Sequence, residues 1–189
     1  ILPAIAKGLN DADVGPLFDL MMRKPNICSL EMHTLTFTGQ GGAGFQRSAR
    51  ITTPDLHAIV DAHTSGKITA KDFVPSPLAH PHCYSICYLL CLDGGGYVPF
   101  TRFLSRGKLF ELLADSLYVQ PREPIESALR DAIDDLWARG EEVLDGERIL
   151  ATLKRLVREM FPSDGALPLE ARQKIAERAS KAIYIHSHM

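Results

Sequence analysis

ILPAIAKGLNDADVGPLFDLMMRKPNICSLEMHTLTFTGQGGAG, residues 1–44, places two apolar runs on either side of a helical pattern. Residues 1–9 are mostly apolar and short, as a buried strand would be. Asn10 is a good N-cap, and Asp11 and Asp13 suit the positive end of a helix dipole. Val14, Leu17, Phe18 and Met21 recur at helical spacing, and Pro25 stops the helix. Residues 27–38, ICSLEMHTLTFT, are rich in Thr, β-branched and aromatic side chains and predict a second strand. Strand, helix and strand in so short a stretch make a βαβ unit, whose strands must pair in parallel.

Working outward, Thr53 and Pro54 suit an N-cap and first helical position, and Leu56, Ile59 and Val60 give about three turns that close near Gly66. Residues 73–82, FVPSPLAHPH, carry three prolines and two histidines and predict an ordered, extended loop. Residues 84–92 and 97–104 flank Asp93-Gly94-Gly95-Gly96 and read as a β-hairpin. From Lys108 four helical stretches are expected, at 108–118, 123–139, 147–161 and 168–185. Ile125, Leu129, Ile133 and Leu136 line one face of the second; Leu150, Leu153, Val157 and Met160 line one face of the third. The expected fold is therefore an α/β start followed by a β-hairpin and a small α-helical bundle, α+β overall. Its parts are 1–50, 51–105 with the Pro/His/Cys loop, and a helical subdomain at 106–189.

The chain has 189 residues, enough for a sizeable core, with 21 Lys+Arg against 23 Asp+Glu. That balance argues against a nucleic-acid partner or a polybasic membrane patch. No run of about 18 apolar residues predicts a transmembrane helix, and no secretory leader is evident. Four cysteines are too few for a disulfide scaffold, so the expected setting is cytoplasmic with reduced thiols. The first residue is Ile1, which suggests a piece of a longer polypeptide.

Gly39, Gly41 and Gly44 match G-x-G-x-x-G literally. No helix begins at the third glycine, so the dinucleotide reading is weak, and a ligand-contacting loop at the mouth of a barrel is the better one. Glu31 and His33 share one face of the second strand, where polar side chains of a barrel meet substrate or cofactor. The bland alternative is that they face solvent or satisfy each other. His80-Pro81-His82-Cys83 offers imidazole and thiolate ligands on a stiff loop, suited to zinc or iron–sulfur chemistry. Cys87 and Cys91, in a strand, read as core thiols, as does Cys28. Cys83, in the loop, stays open between ligand and core. His186 and His188 read as a frayed tail.

Residues 7–42 resemble the last β/α unit of a radical SAM barrel: strand, Gly-x-Asn-Asp, helix, strand and Gly-rich turn. Residues 50–90 resemble the segment after the barrel in the branch of tetraether lipid synthases and their bacterial relatives. The shared marks are Asp72-Phe73, Pro75, Pro77, His80-Pro81-His82-Cys83, Tyr88-Leu89-Leu90 and Asp93-Gly94. The ending AIYIHSHM also resembles a family segment. The resemblance implies that residues 1–50 are late strands of a partial (β/α) barrel and that the parent uses S-adenosylmethionine and a [4Fe–4S] cluster. Such an enzyme makes a 5′-deoxyadenosyl radical that takes hydrogen from an unactivated carbon of a small molecule or lipid. The family's C-x3-C-x2-C motif is absent; Cys83, Cys87 and Cys91 are spaced C-x3-C-x3-C. The expectation is a fragment supplying pocket wall through Glu31, His33, Gly39 and Gly41, and one auxiliary-cluster ligand through Cys83, with His80 and His82 behind it; alone it would not generate the radical, and a fragment that holds no cofactor by itself stays open. Two alternatives remain: a partner- or lipid-binding module built from 108–185, and a zinc-stabilised domain using Cys83 with His80 or His82.

Overall fold

A computed structural model of the chain describes residues 1–36, 44, 46–116, 118–139, 142–165 and 167–187. The chain divides into two compact units, Ile1–Tyr88 with Lys181–Met189, and Leu89–Ser180. The fold is mixed, with six α-helices and six strands among the described residues, in line with the α+β expectation.

In the first unit the opening βαβ is present. β1 (Ala4–Ile5), α1 (Val14–Arg23) and β2 (Ser29–Thr34) follow in order, and β1 pairs with β2 in parallel, Ala4 against His33 and Ile5 against Thr34. Asn10 serves differently from the expectation. Its side chain makes no helix cap; it accepts from Ala6 N (2.9 Å) and donates to Ala4 O (2.8 Å), holding the exit of β1. α1 buries Val14, Phe18 and Met21 and packs on β2. α2 (Thr53–His63) begins one residue earlier than expected: Thr52 is the cap, in a capping box with Asp55. α2 also packs on α1, and Gly15 makes that approach possible. A Cβ there would stand 2.4 Å from the His63 ring.

The sheet continues through β3 (Val74–Pro75), β4 (Tyr84–Cys91) and β6 (Ser180–His186), in the order β1-β2-β6-β4-β3. Here the structure corrects the sequence reading. Residues 168–185 are not one helix: the helix stops at Ala179 and the chain turns extended at Ser180. β6 then lies beside β2 in parallel, Ser29 against Ala182 through His33 against His186. Ala182–Ile185 are all buried, which is the mark of an inner strand covered on both faces. Such an unbroken apolar run carries no alternation, so local sequence alone cannot separate it from a buried helix.

Lys181 ties β6 to the end of α1. Its buried ammonium donates to the carbonyls of Lys24 (3.0 Å), Pro25 and Ile27 at the carboxyl end of α1. A cation there meets both the carbonyls of this turn and the negative end of the dipole. Ile183 and Ile185, of the same parity, stand in register with Leu30 and Met32, and all four are fully buried. The opposite parity, Glu31, His33, Tyr184 and His186, forms the other face.

In the second unit, Leu89–Cys91 pair antiparallel with β5 (Tyr97–Pro99) across three consecutive glycines at positive φ, Gly94 to Gly96. The second arm is shorter than expected, passing into a 3₁₀ turn at Phe100–Arg102. α3 (Arg106–Leu112), α4 (Glu123–Arg139), α5 (Gly146–Met160) and α6 (Leu169–Ala179) follow. α4 buries Ile125, Leu129 and Leu136, and α5 buries Ile149, Leu153, Leu156, Val157 and Met160. Ile149 thus takes the inner position expected of Leu150. No helix among the described residues is long and apolar enough to cross a membrane.

Candidate functional site

β2 alternates in burial, with Leu30, Met32 and Thr34 inside and Ser29, Glu31 and His33 half-buried. This is the parity expected from the sequence, and it puts Glu31 and His33 on the face away from α1. His33 and its register partner His186 lie near the carboxyl ends of the two parallel strands β2 and β6. That edge is where ligands bind in parallel α/β sheets and barrels, because loops there leave side chains room to converge.

The three side chains meet. His33 Nε2 lies 3.3 Å and His186 Nδ1 3.9 Å from Glu31 Oε1, with Glu31 only 17% exposed. Both ring nitrogens are shut off from solvent. The two imidazoles pack edge to face at 4.7 Å between centroids, and Tyr84 stands edge-on to His186 at 3.7 Å. Behind them, the Tyr184 and Tyr88 hydroxyls are 3.0 Å apart. Each element contributes for a local reason. An i, i+2 spacing on a strand keeps Glu31 and His33 on one face, and parallel register sets His186 beside His33 at the inter-strand spacing of about 4.8 Å. Among the described residues, the basic groups within 4 Å of Glu31 are these two histidines. A carboxylate withdrawn from water needs a hydrogen-bonded or cationic partner, and this one has both imidazoles at hand.

The other expected residues are placed as follows. Gly39 and Gly41 lie outside the described residues; Gly44 is exposed. His80 and His82 are exposed in the turn before β4, with ring centroids 5.4 Å apart, and His82 N donates to His80 Nδ1 at 3.3 Å. Cys83 is half-buried, and its carbonyl accepts from Ser187 N at 2.9 Å, so this turn ends beside the carboxyl end of β6. Among the described residues, His80, His82 and Cys83 do not converge as a set of ligand atoms; Glu31, His33 and His186 do. Cys87 is fully buried, as expected of a core thiol, and Cys91 is half-buried. Cys28 departs from the expectation: it precedes β2 and is exposed. His186 is the residue that sequence reading missed. The available signal was its place at the end of the apolar run 182–185, which read as helix.

On the other face, His57 Nε2 lies 3.0 Å from Ser85 Oγ, and its ring stacks at 4.2 Å on Phe73. Burial pushes the His57 imidazole below the ordinary histidine range.

No family model matches the chain. Among curated proteins it is similar to the 7,8-dihydro-6-hydroxymethylpterin dimethyltransferase of Methanocaldococcus jannaschii, 24% identical over an alignment 165 residues long that takes in 76% of this chain and 31% of the relative. The chain thus spans about a third of that relative's length. The match supports a radical SAM-related family.

Proposed function

We propose that this chain is the late-barrel part of a radical SAM enzyme. Such an enzyme takes one low-potential electron from a [4Fe–4S] cluster to cleave S-adenosylmethionine, and the resulting 5′-deoxyadenosyl radical abstracts hydrogen from an unactivated carbon. The observation that carries this reading is the polar face at the carboxyl ends of β2 and β6, in a chain similar to a curated member of that superfamily. In it, the chain supplies pocket wall on the substrate side, for a small-molecule or lipid substrate, and works in the cytoplasm.

The cluster itself does not fit these residues. Cys28 is exposed ahead of β2, Cys87 is fully buried, and among the described residues no three cysteine sulfurs come together. The cluster's ligands therefore belong outside the described residues, with Cys83, at the edge of the site, the thiol best placed to reach a second one. S-adenosylmethionine fits better. A carboxylate such as Glu31 accepts from ribose hydroxyls and from the α-ammonium group, and the buried rings of Tyr84 and Tyr184 keep water from competing. The alternative of a lipid-binding helical module gains less support. The apolar cleft between α4, α5 and α6, lined by Ile125, Leu129, Leu156, Met160 and Ala176, holds about 50 Å³, well under the ~300 Å³ of ordinary ligand pockets. The larger hollow of about 390 Å³ beside Leu136, Trp137 and Leu150 is lined in about equal part by polar groups such as Arg139 and Glu147, unlike a lipid site.

The test is 5′-deoxyadenosine formation by the anaerobically prepared full-length enzyme, together with S-adenosylmethionine affinity. Glu31→Ala should weaken that affinity by about tenfold, the worth of one charge-assisted hydrogen bond of roughly 1.5 kcal/mol. Absence of 5′-deoxyadenosine, or affinity unchanged in Glu31→Ala, overturns the reading.

A further inference from the structure

We infer that Glu31, His33 and His186 form a binding site for one divalent first-row transition-metal ion. The donor set is two imidazoles and one carboxylate, the composition of open mononuclear sites for zinc and non-haem iron. All three ligand atoms lie within 4.8 Å of one another. Atoms bound about 2.1 Å from a common ion stand roughly 3–3.5 Å apart. The 3.3 Å and 3.9 Å separations from Glu31 Oε1 need only small side-chain adjustments, and the two imidazole nitrogens, within 4.8 Å of each other, draw together on binding.

The scaffold favours binding in three ways. The ligands come from two adjacent strands whose register is fixed by five residue pairs, Ser29–Ala182 to His33–His186, so their Cα triangle is set before any ion arrives. The ring of His186 is held edge-on by Tyr84, which limits its rotation, as groups surrounding metal-bound histidines do. The ion would also neutralise a carboxylate that is largely withdrawn from water. Three protein ligands leave at least one coordination position for water or a substrate oxygen or nitrogen. This inference stands on geometry alone and does not depend on the radical SAM reading.

Cobalt(II) is the probe. The full chain, freed of metal with a chelator, is titrated with Co²⁺ and followed by visible d–d absorption and calorimetry. One equivalent is expected, displaced by Zn²⁺. Glu31→Gln, His33→Ala and His186→Ala should each weaken binding by more than about tenfold, at least the loss produced by disturbing groups around a metal site. His80→Ala and Cys83→Ser should leave it unchanged. Glu31→Gln keeps the shape of the side chain and one acceptor oxygen while removing the charge, so it reads ligation even where a histidine variant folds poorly. No stoichiometric binding, or binding that survives Glu31→Gln and both histidine variants, overturns the site. Loss through His80 or Cys83 instead puts the ion in the turn and overturns it equally. Glu31 serves both readings, with Oε1 toward the histidines and the ion and its other oxygen left for S-adenosylmethionine; S-adenosylmethionine plays no part in the cobalt titration, so the two outcomes are separable.

Discussion

The two units bury their apolar surface by different means. The sheet unit depends on partners far apart in sequence: Leu30 sits in register with Ile183, and Lys181 is bonded to carbonyls beyond the end of α1. The helical unit depends on neighbours. Its ion pairs Glu126–Arg130, Asp135–Arg139, Arg155–Glu159 and Glu170–Lys174 are all one turn apart, on exposed helix faces. Such pairs are worth a few tenths of a kcal/mol each and fix nothing beyond their own helix. One exception is Asp93, in the hairpin turn, paired with Arg155 at 2.7 Å, which holds its carboxyl below the usual range. In the sheet unit, by contrast, ionisable groups converge across strands and away from water. Fixed side-chain geometry across strands is thus a feature of the sheet unit, and pairing within single helices a feature of the helical one.

The largest test of this contrast uses one buried residue from each unit. Ile183→Ala and Leu153→Ala should each cost about 2–5 kcal/mol, the range for truncating a fully buried aliphatic side chain. They should differ in where amide exchange accelerates: over residues 29–34 and 180–186 for the first, and over α4 to α6 for the second. Acceleration over the same residues in both variants would break the contrast.

A smaller effect sharpens it. Lys181→Met keeps the apolar stem and removes the ammonium, leaving the carbonyls of Lys24, Pro25 and Ile27 without that donor. The expected loss is about 1–3 kcal/mol in denaturant unfolding, with the turn at residues 24–27 the first region to exchange. A variant as stable as the parent would show that β6 is held by apolar burial alone.

The smallest effect is a pH dependence. The His57 imidazole is depressed in the folded state by burial, so the unfolded chain takes up its proton first. Its contribution is complete above the ordinary histidine pKa of about 6.5 and is lost as pH falls from there through the folded value. His57→Phe should flatten stability against pH in that acidic window and leave the neutral region little changed. A parent-like slope in the variant would remove His57 as its source.

Much of this was legible in residue order. Pro25, Gly66 and Pro162 mark real helix ends or the turns beyond them, and the alternation of Ser29–Thr34 gave the face of Glu31 and His33 directly. Boundaries slipped where two residues could serve the same purpose, as with Thr52 and Thr53 at the start of α2. Cys28 was misplaced because the apolar and β-branched run around it extends two residues beyond the paired strand.

What the sequence determined by itself is the set of local facts: a βαβ start, amphipathic helices expected at 123–139 and 147–161 and found at Glu123–Arg139 and Gly146–Met160, and a polar pair on one strand face. These depend on propensity and periodicity within a dozen residues. Only tertiary structure decided that residues 180–186 are a strand, because an unbroken apolar run gains its hydrogen bonds from whichever partner is nearby. The partner here is β2, about 150 residues earlier. That choice brings His186 to Glu31 and His33, so the candidate site exists only once the chain has folded back on itself.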